Sequence, residues 1–83
     1  MKYTIKDKNN LSNHHWLIAI ELTPETDFEK AAIKKAEKAN TTDDEREMLD
    51  NYLLFCLGDN LSLVSLEQQQ QQQNLFIVKA FQN

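Results

Sequence analysis

Eighty-three residues, 41% hydrophobic and 27% charged, with one glycine and one proline, describe a single folded domain over residues 1–83 and not a disordered tail. A net charge of −4 argues against unassisted binding to nucleic acid or to an anionic membrane. The one cysteine, Cys56, cannot close an internal disulfide. MKYTIKDKNN lacks the apolar core of a signal peptide, and no apolar run is long enough to span a bilayer, so a cytoplasmic location is expected.

Lys2 to Lys6 alternates, with Tyr3 and Ile5 toward a core and Lys2, Thr4 and Lys6 toward water, and reads as a short strand. Asp7 to Asn13 is a polar cluster with turn character. His14 to Leu22 is the clearest strand: Trp16, Ile18, Ile20 and Leu22 share one face, and His15, Leu17, Ala19 and Glu21 the other. The two strands are expected to form an antiparallel hairpin, which Thr23-Pro24 ends.

Thr26 followed by Glu29 is a capping box that opens a helix over about 27–39. Its predicted apolar face is Phe28, Ala32, Ala36 and Ala39, with Ile33 at the edge and Lys35 reaching past it to water. Lys30, Lys34 and Lys38 line the outward side. Asn40-Thr41 is short enough to require a helical hairpin.

The second helix, over 42–58, carries the strongest local signals. Thr42 and Glu45 form another capping box, and acids in the first turn suit the positive end of the helix dipole. Met48, Leu49, Tyr52, Leu53, Phe55 and Cys56 recur at helical spacing, with Tyr52 and Cys56 predicted at the centre of the buried face. Gly58 is the expected left-handed terminator. Beyond it, Leu61 to Leu66 reads as a loosely alternating strand, and Leu75 to Phe81 as a strand from its β-branched and aromatic content. Gln68 to Gln73 can extend both into one long hairpin, form an exposed loop or add a helical turn. The strand character on either side favours the hairpin.

The sum is an α+β domain in the order ββααββ: a four-stranded, mostly antiparallel sheet with a helical hairpin on one face. One feature does not close. The last strand is apolar on both faces, and Leu17 joins Leu75, Ile77 and Phe81 on the side away from the helices, where a small α+β sheet is ordinarily polar. That face is either covered by loops and the glutamine tract or meets another chain, and it is a candidate dimer face.

No catalytic residue, metal site or cofactor is expected. His14 and His15 are adjacent in a strand and point to opposite faces, so they cannot chelate together. Cys56 sits on an apolar stripe, where an inert core thiol is the ordinary case. Lys30, Lys34 and Lys38 lack an aromatic neighbour for base stacking and read as solubilising side chains.

Charge is concentrated instead. Between Thr41 and Asn60, six acids face Arg46 alone, a local balance of −5, so the remaining residues sum to +1. Asp43, Glu47 and Asp50 share the outward face of the second helix, with Asp44 and Glu45 beside them and Leu54 at the end of the stripe. A solvated, dipole-complementary first turn explains the acids by themselves. An acidic stripe that ends in an outward leucine also suits docking against a basic nucleic-acid-handling protein.

In size, charge and lack of motifs the chain is similar to the small acidic α+β proteins carried by phages and mobile elements, anti-CRISPR and anti-restriction proteins among them. The resemblance implies a non-enzymatic inhibitor that binds a host defence complex, and the charged stripe of the second helix offers Asp43, Asp44, Glu47, Asp50 and Leu54 as its partner-binding residues. The alternative is an immunity- or antitoxin-like partner, or a homodimeric subunit, using the sheet face around Leu75 to Phe81. A small enzyme using Cys56 or a histidine ranks last.

Overall fold

Two strands with strict alternation make the centre of the sheet, and everything else is arranged about them. The computed structural model describes residues 1–83. The elements are β1 (Lys2–Ser12), β2 (His15–Thr23), α1 (Asp27–Ala36), α2 (Asp43–Leu57), β3 (Leu61–Gln69) and β4 (Gln72–Gln82). The strands form one antiparallel sheet in the order β1-β2-β4-β3, so β2 and β4 are central and both hairpins end at the edges. Both helices lie on one face, and the α+β, ββααββ expectation holds.

The core forms where that face meets the helices. Ile18, Ile20 and Leu22 from β2 and Phe76, Val78 and Ala80 from β4 are buried against Ala32 and Ile33 of α1 and Leu49, Leu53 and Leu57 of α2. Both capping boxes form: Thr26 Oγ1 accepts from the Glu29 N–H at 3.1 Å, and Thr42 Oγ1 from the Glu45 N–H at 3.2 Å. The returning carboxylates accept the Thr26 and Thr42 N–H groups at 3.0 and 2.8 Å, which satisfies donors the helices cannot.

Several expectations are corrected. The polar stretch 7–13 is mostly strand, since β1 continues to Ser12. It is an edge strand whose residues are all exposed, held by pairing with β2 and not by burial of its own side chains. Irregularities between Ile5 and Asp7 and between Asn10 and Ser12 shift its register, and the first turns Lys8 inward, its Nζ 5.2 Å from the centre of the Trp16 ring.

The helix faces are also rotated from those expected. In α1, Ile33 is buried with Ala32, while Phe28 is 48% exposed. The helix ends at Ala36, and Ala39 lies beyond it at φ 56°. The Asn40 N–H donates to Lys35 O at 3.0 Å and the Ala39 N–H to Ala36 O at 3.1 Å, the bond pair of a Schellman closure with alanine in glycine's usual place. Lys35 is exposed, as expected, and its Nζ also donates to the buried Glu45 carboxylate at 3.1 Å. In α2 the buried stripe is Glu45, Leu49, Leu53 and Leu57, with Tyr52 and Cys56 at its margin. Gly58 has positive φ, but its φ 82°, ψ −174° lies outside the left-handed helical region.

The glutamines join the last hairpin as preferred: β3 runs to Gln69, β4 starts at Gln72, and Gln70-Gln71 makes the turn. Gln68 Nε2 donates to Ile33 O at 2.9 Å, satisfying a carbonyl in the last turn of α1, and to Gln73 O at 2.7 Å. The loose alternation of Leu61 to Leu66 has a direct cause, since a register shift between Leu63 and Ser65 leaves Val64 54% exposed.

Candidate protein-binding surface

The surface of interest is the outward side of α2. Its position follows from the buried stripe: with Leu49, Leu53 and Leu57 turned to the sheet, Asp43, Asp44 and Glu47 must face solvent, and they are exposed. None of these three carboxylates has a hydrogen-bond or ion-pair partner within the chain. Asp50 is half exposed, with Arg46 Nε 3.9 Å from its carboxylate, a loose one-turn pair. Glu45 is the exception among the acids. It is 3% exposed, and its carboxyl is held below the usual range by the Thr42 N–H, with Lys35 adding to the effect. It is therefore a structural acid and not part of the presented surface.

The same face turns apolar toward its C-terminal end. Leu54 is 42% exposed, as the wheel predicts. Leu57, three residues further on, is buried. Phe55 was assigned to the buried side by its spacing and is 69% exposed, the most exposed large apolar side chain of the protein. It packs edge-on to Tyr3 of β1, with ring centres 6.5 Å apart, and lies 5.9 Å from Tyr52. Tyr3 and Tyr52 meet edge to face at 6.1 Å, and the Tyr52 hydroxyl donates to Met1 O at 2.7 Å. Tyr3 and Ile5 are each 40% exposed. A signal for Phe55 was present in the run Leu53 to Leu57: five successive apolar residues span more than a helix can bury on one side.

The stripe thus passes from unpaired carboxylates, over about 18 Å of helix, to a leucine and an aromatic cluster supported by β1. Aromatic anchors bordered by charge are the composition of energetically important protein contacts. On the other flank of α2, a cleft of about 210 Å³ opens between the helices and β3, lined by Ala36, Leu49, Leu53, Leu66 and Phe76, with Arg46 and Asp50 at its polar side.

The remaining sequence-singled residues lie elsewhere. Cys56 is half-buried, and burial pushes its thiol up to about 11. His14 lies in the turn before β2 at φ 66° and not in the strand, so both His14 and His15 pack against Phe81, at ring separations of 5.8 and 5.2 Å, instead of taking opposite faces. No three His, Cys, Asp or Glu side chains gather where they could hold a metal ion. Lys30, Lys34 and Lys38 are exposed. No helix is long and apolar enough to cross a membrane. Leu17, Leu75, Ile77 and Phe81 are brought together on the sheet face opposite the helices; no element covers that face, and Phe81 is 38% exposed. No family model, curated protein or solved structure matches the chain.

Proposed function

We propose that this protein is a small non-enzymatic inhibitor that acts by binding, docking a basic nucleic-acid-handling complex through the outward face of α2. The observation that carries the reading is the continuity of that face: Asp43, Asp44 and Glu47 are exposed without internal partners, and the same helix then presents Leu54 and Phe55. Unpaired carboxylates attract and orient a basic partner over a distance. Leu54 and the Phe55–Tyr3 cluster supply apolar area that holds it once docked.

A phage- or mobile-element-encoded antagonist of host defence, in the manner of anti-CRISPR and anti-restriction proteins, is the setting that suits this chemistry. The partner is then a protein, with no direct contact to nucleic acid or membrane. A reducing cytoplasm suits the lone thiol. The experiment is capture from a bacterial lysate on the immobilised protein at 50 mM and 500 mM salt. A basic nucleic-acid-binding complex retained at low salt and released at high salt is the expected result. Capture unaffected by salt, or an exclusively acidic set of partners, overturns the reading.

A further inference from the structure

The sheet face away from the helices is the largest feature that the α2 reading leaves unused. Strand register places its side chains in four rows across β1-β2-β4-β3. They are Thr4–Glu21–Leu75, Asp7–Ala19–Ile77–Glu67, Asn9–Leu17–Lys79–Ser65 and Ser12–His15–Phe81–Ser62. Leu17, Ala19, Leu75 and Ile77 are half-buried by their strand neighbours alone. The centre is apolar, and both signs of charge stand on or beside it.

We infer that this face mates with the same face of a second copy, about a two-fold axis that crosses the strands between the Ala19–Ile77 and Leu17–Lys79 rows. In an isologous contact each residue that meets another is met by it in return, so the face must complement itself. It does so about this axis. The axis exchanges the two inner rows and the two outer rows while keeping each strand over its counterpart. Ala19 then lies opposite Leu17 of the second copy, small against large, and Leu75 opposite Phe81. Glu21 comes opposite His15, and Lys79 lands over the Ile77–Glu67 row, within a side chain's reach of Glu67. The other in-plane axis, along the strands, sets Asp7 against Glu67 and gains none of these pairs.

Charge and area agree with this occupant. The acidic α2 lies on the far side of its own sheet. Two sheets about 10 Å apart, each backed by a helix layer, hold the two acidic helices roughly 30 Å from one another. That is several times the screening length of about 8 Å at physiological salt, so the net charge of −4 on each copy hardly opposes association. Four strands at about 4.8 Å and four rows at about 6.8 Å cover roughly 500 Å² per copy, about 1,000 Å² in all. That is the size at which specific interfaces begin, the low end where weak association is found. The contact also gives a second apolar layer to a chain in which only 12 of 83 residues are buried.

The test is sedimentation equilibrium of the full chain from 5 to 500 µM, with charge swaps at two exposed positions that the fold tolerates. The wild type is expected to reach twice its 9.7 kDa chain mass within that range. Lys79→Glu and Glu67→Lys each weaken the dimer about tenfold, and the double variant restores it to within about threefold. Far-UV circular dichroism stays unchanged throughout. Isotope-filtered NOEs between Leu17 and Ala19 methyl groups of different copies provide a second measurement that needs no variant. A wild type that is monomeric at 500 µM overturns the inference. So does a dimer whose constant ignores both single swaps, or one lost on Val64→Lys at the β3 edge but kept in Lys79→Glu. Asp43→Lys with Glu47→Lys leaves the dimer constant unchanged, which separates this face from the one on α2.

Discussion

Replacing Phe55 by alanine distinguishes a presented aromatic from a core one, and Leu53 two positions earlier is the internal standard. Phe55 is 69% exposed and Leu53 is fully buried. A phenylalanine offers about 200 Å² for burial, so the third that Phe55 covers is roughly 60 Å². At about 25 cal/mol per Å² its loss costs the fold about 1.5 kcal/mol. Leu53→Ala removes a buried branched side chain from the helix–sheet core and costs about 2–5 kcal/mol. A domain of this length has roughly 4–12 kcal/mol of stability in total. Phe55→Ala should therefore lower the melting temperature by about 6–12 °C, and Leu53→Ala by about 8–40 °C. Urea titrations of both variants, followed by circular dichroism, give the comparison. In the capture assay, Phe55→Ala should weaken the partner by about 2 kcal/mol, some thirtyfold, although the protein stays folded. If Phe55→Ala destabilises the fold as much as Leu53→Ala, Phe55 is a core residue and the apolar half of the proposed surface does not exist.

Two backbone positions give opposite signs. Gly58→Ala should cost about 1–3 kcal/mol, essentially torsional, because its φ 82°, ψ −174° suits glycine and no atom beyond its two chain neighbours lies within 4 Å of an added Cβ. Ala39→Gly relieves a left-handed alanine and should stabilise by up to about 1 kcal/mol, read as a higher melting temperature. Stability should also fall in acid. The Glu25 N–H donates to the Glu29 carboxylate at 2.9 Å, and together with the Thr26 N–H and the Met1 ammonium group it holds that carboxyl at about 2, against an ordinary 4.5. A carboxyl depressed in the folded state contributes its full stability above pH 4.5 and loses it as pH falls toward 2, and Glu45 acts in the same direction. Melting temperatures measured from pH 7 to 2.5 should hold nearly level to about pH 5 and then drop. Glu29→Gln, which keeps the capping acceptor, should flatten part of that drop. Finally, with its thiol at about 11, Cys56 carries about 100-fold less thiolate at pH 7 than a thiol at 9.0, so maleimide labelling should be slow until denaturant is added. Rapid labelling of the folded protein would reopen thiol chemistry.

The parts of the fold that were legible in the sequence are those fixed by short-range chemistry. Thr26 with Glu29 and Thr42 with Glu45 specify their helix starts through bonds three residues long, and both form. The parity of Trp16 to Leu22 and of Phe76 to Ala80 fixes which face meets the helices, because a strand has only two sides. The length of β1 was not legible: Asp7 to Ser12 is polar and holds its conformation by pairing with β2, a long-range cause that local composition does not report. The orientation of α2 was misread by a fraction of a turn for a related reason. Glu45 is buried because Lys35 and the Thr42 N–H accompany it, and Phe55 is exposed although apolar. Hydrophobicity alone assigns both to the wrong side. The acids of the candidate surface were found because charge is additive along a sequence. Its aromatic half was missed because Tyr3 and Phe55 meet only in the folded chain.

Charge reversal on the acidic turn of α2 tests the central claim most directly. Asp43, Asp44 and Glu47 make no contact that holds the fold, so Asp43→Lys/Asp44→Lys/Glu47→Lys should stay folded at about 25 °C, melting about 4–24 °C below the wild type because reversing the first-turn acids costs about 1–3 kcal/mol against the helix dipole. Capture of a basic complex from lysate at 50 mM salt should be abolished in that variant and retained in Lys79→Glu. Capture that survives the triple reversal in a folded protein would contradict the assignment of α2 as the docking face.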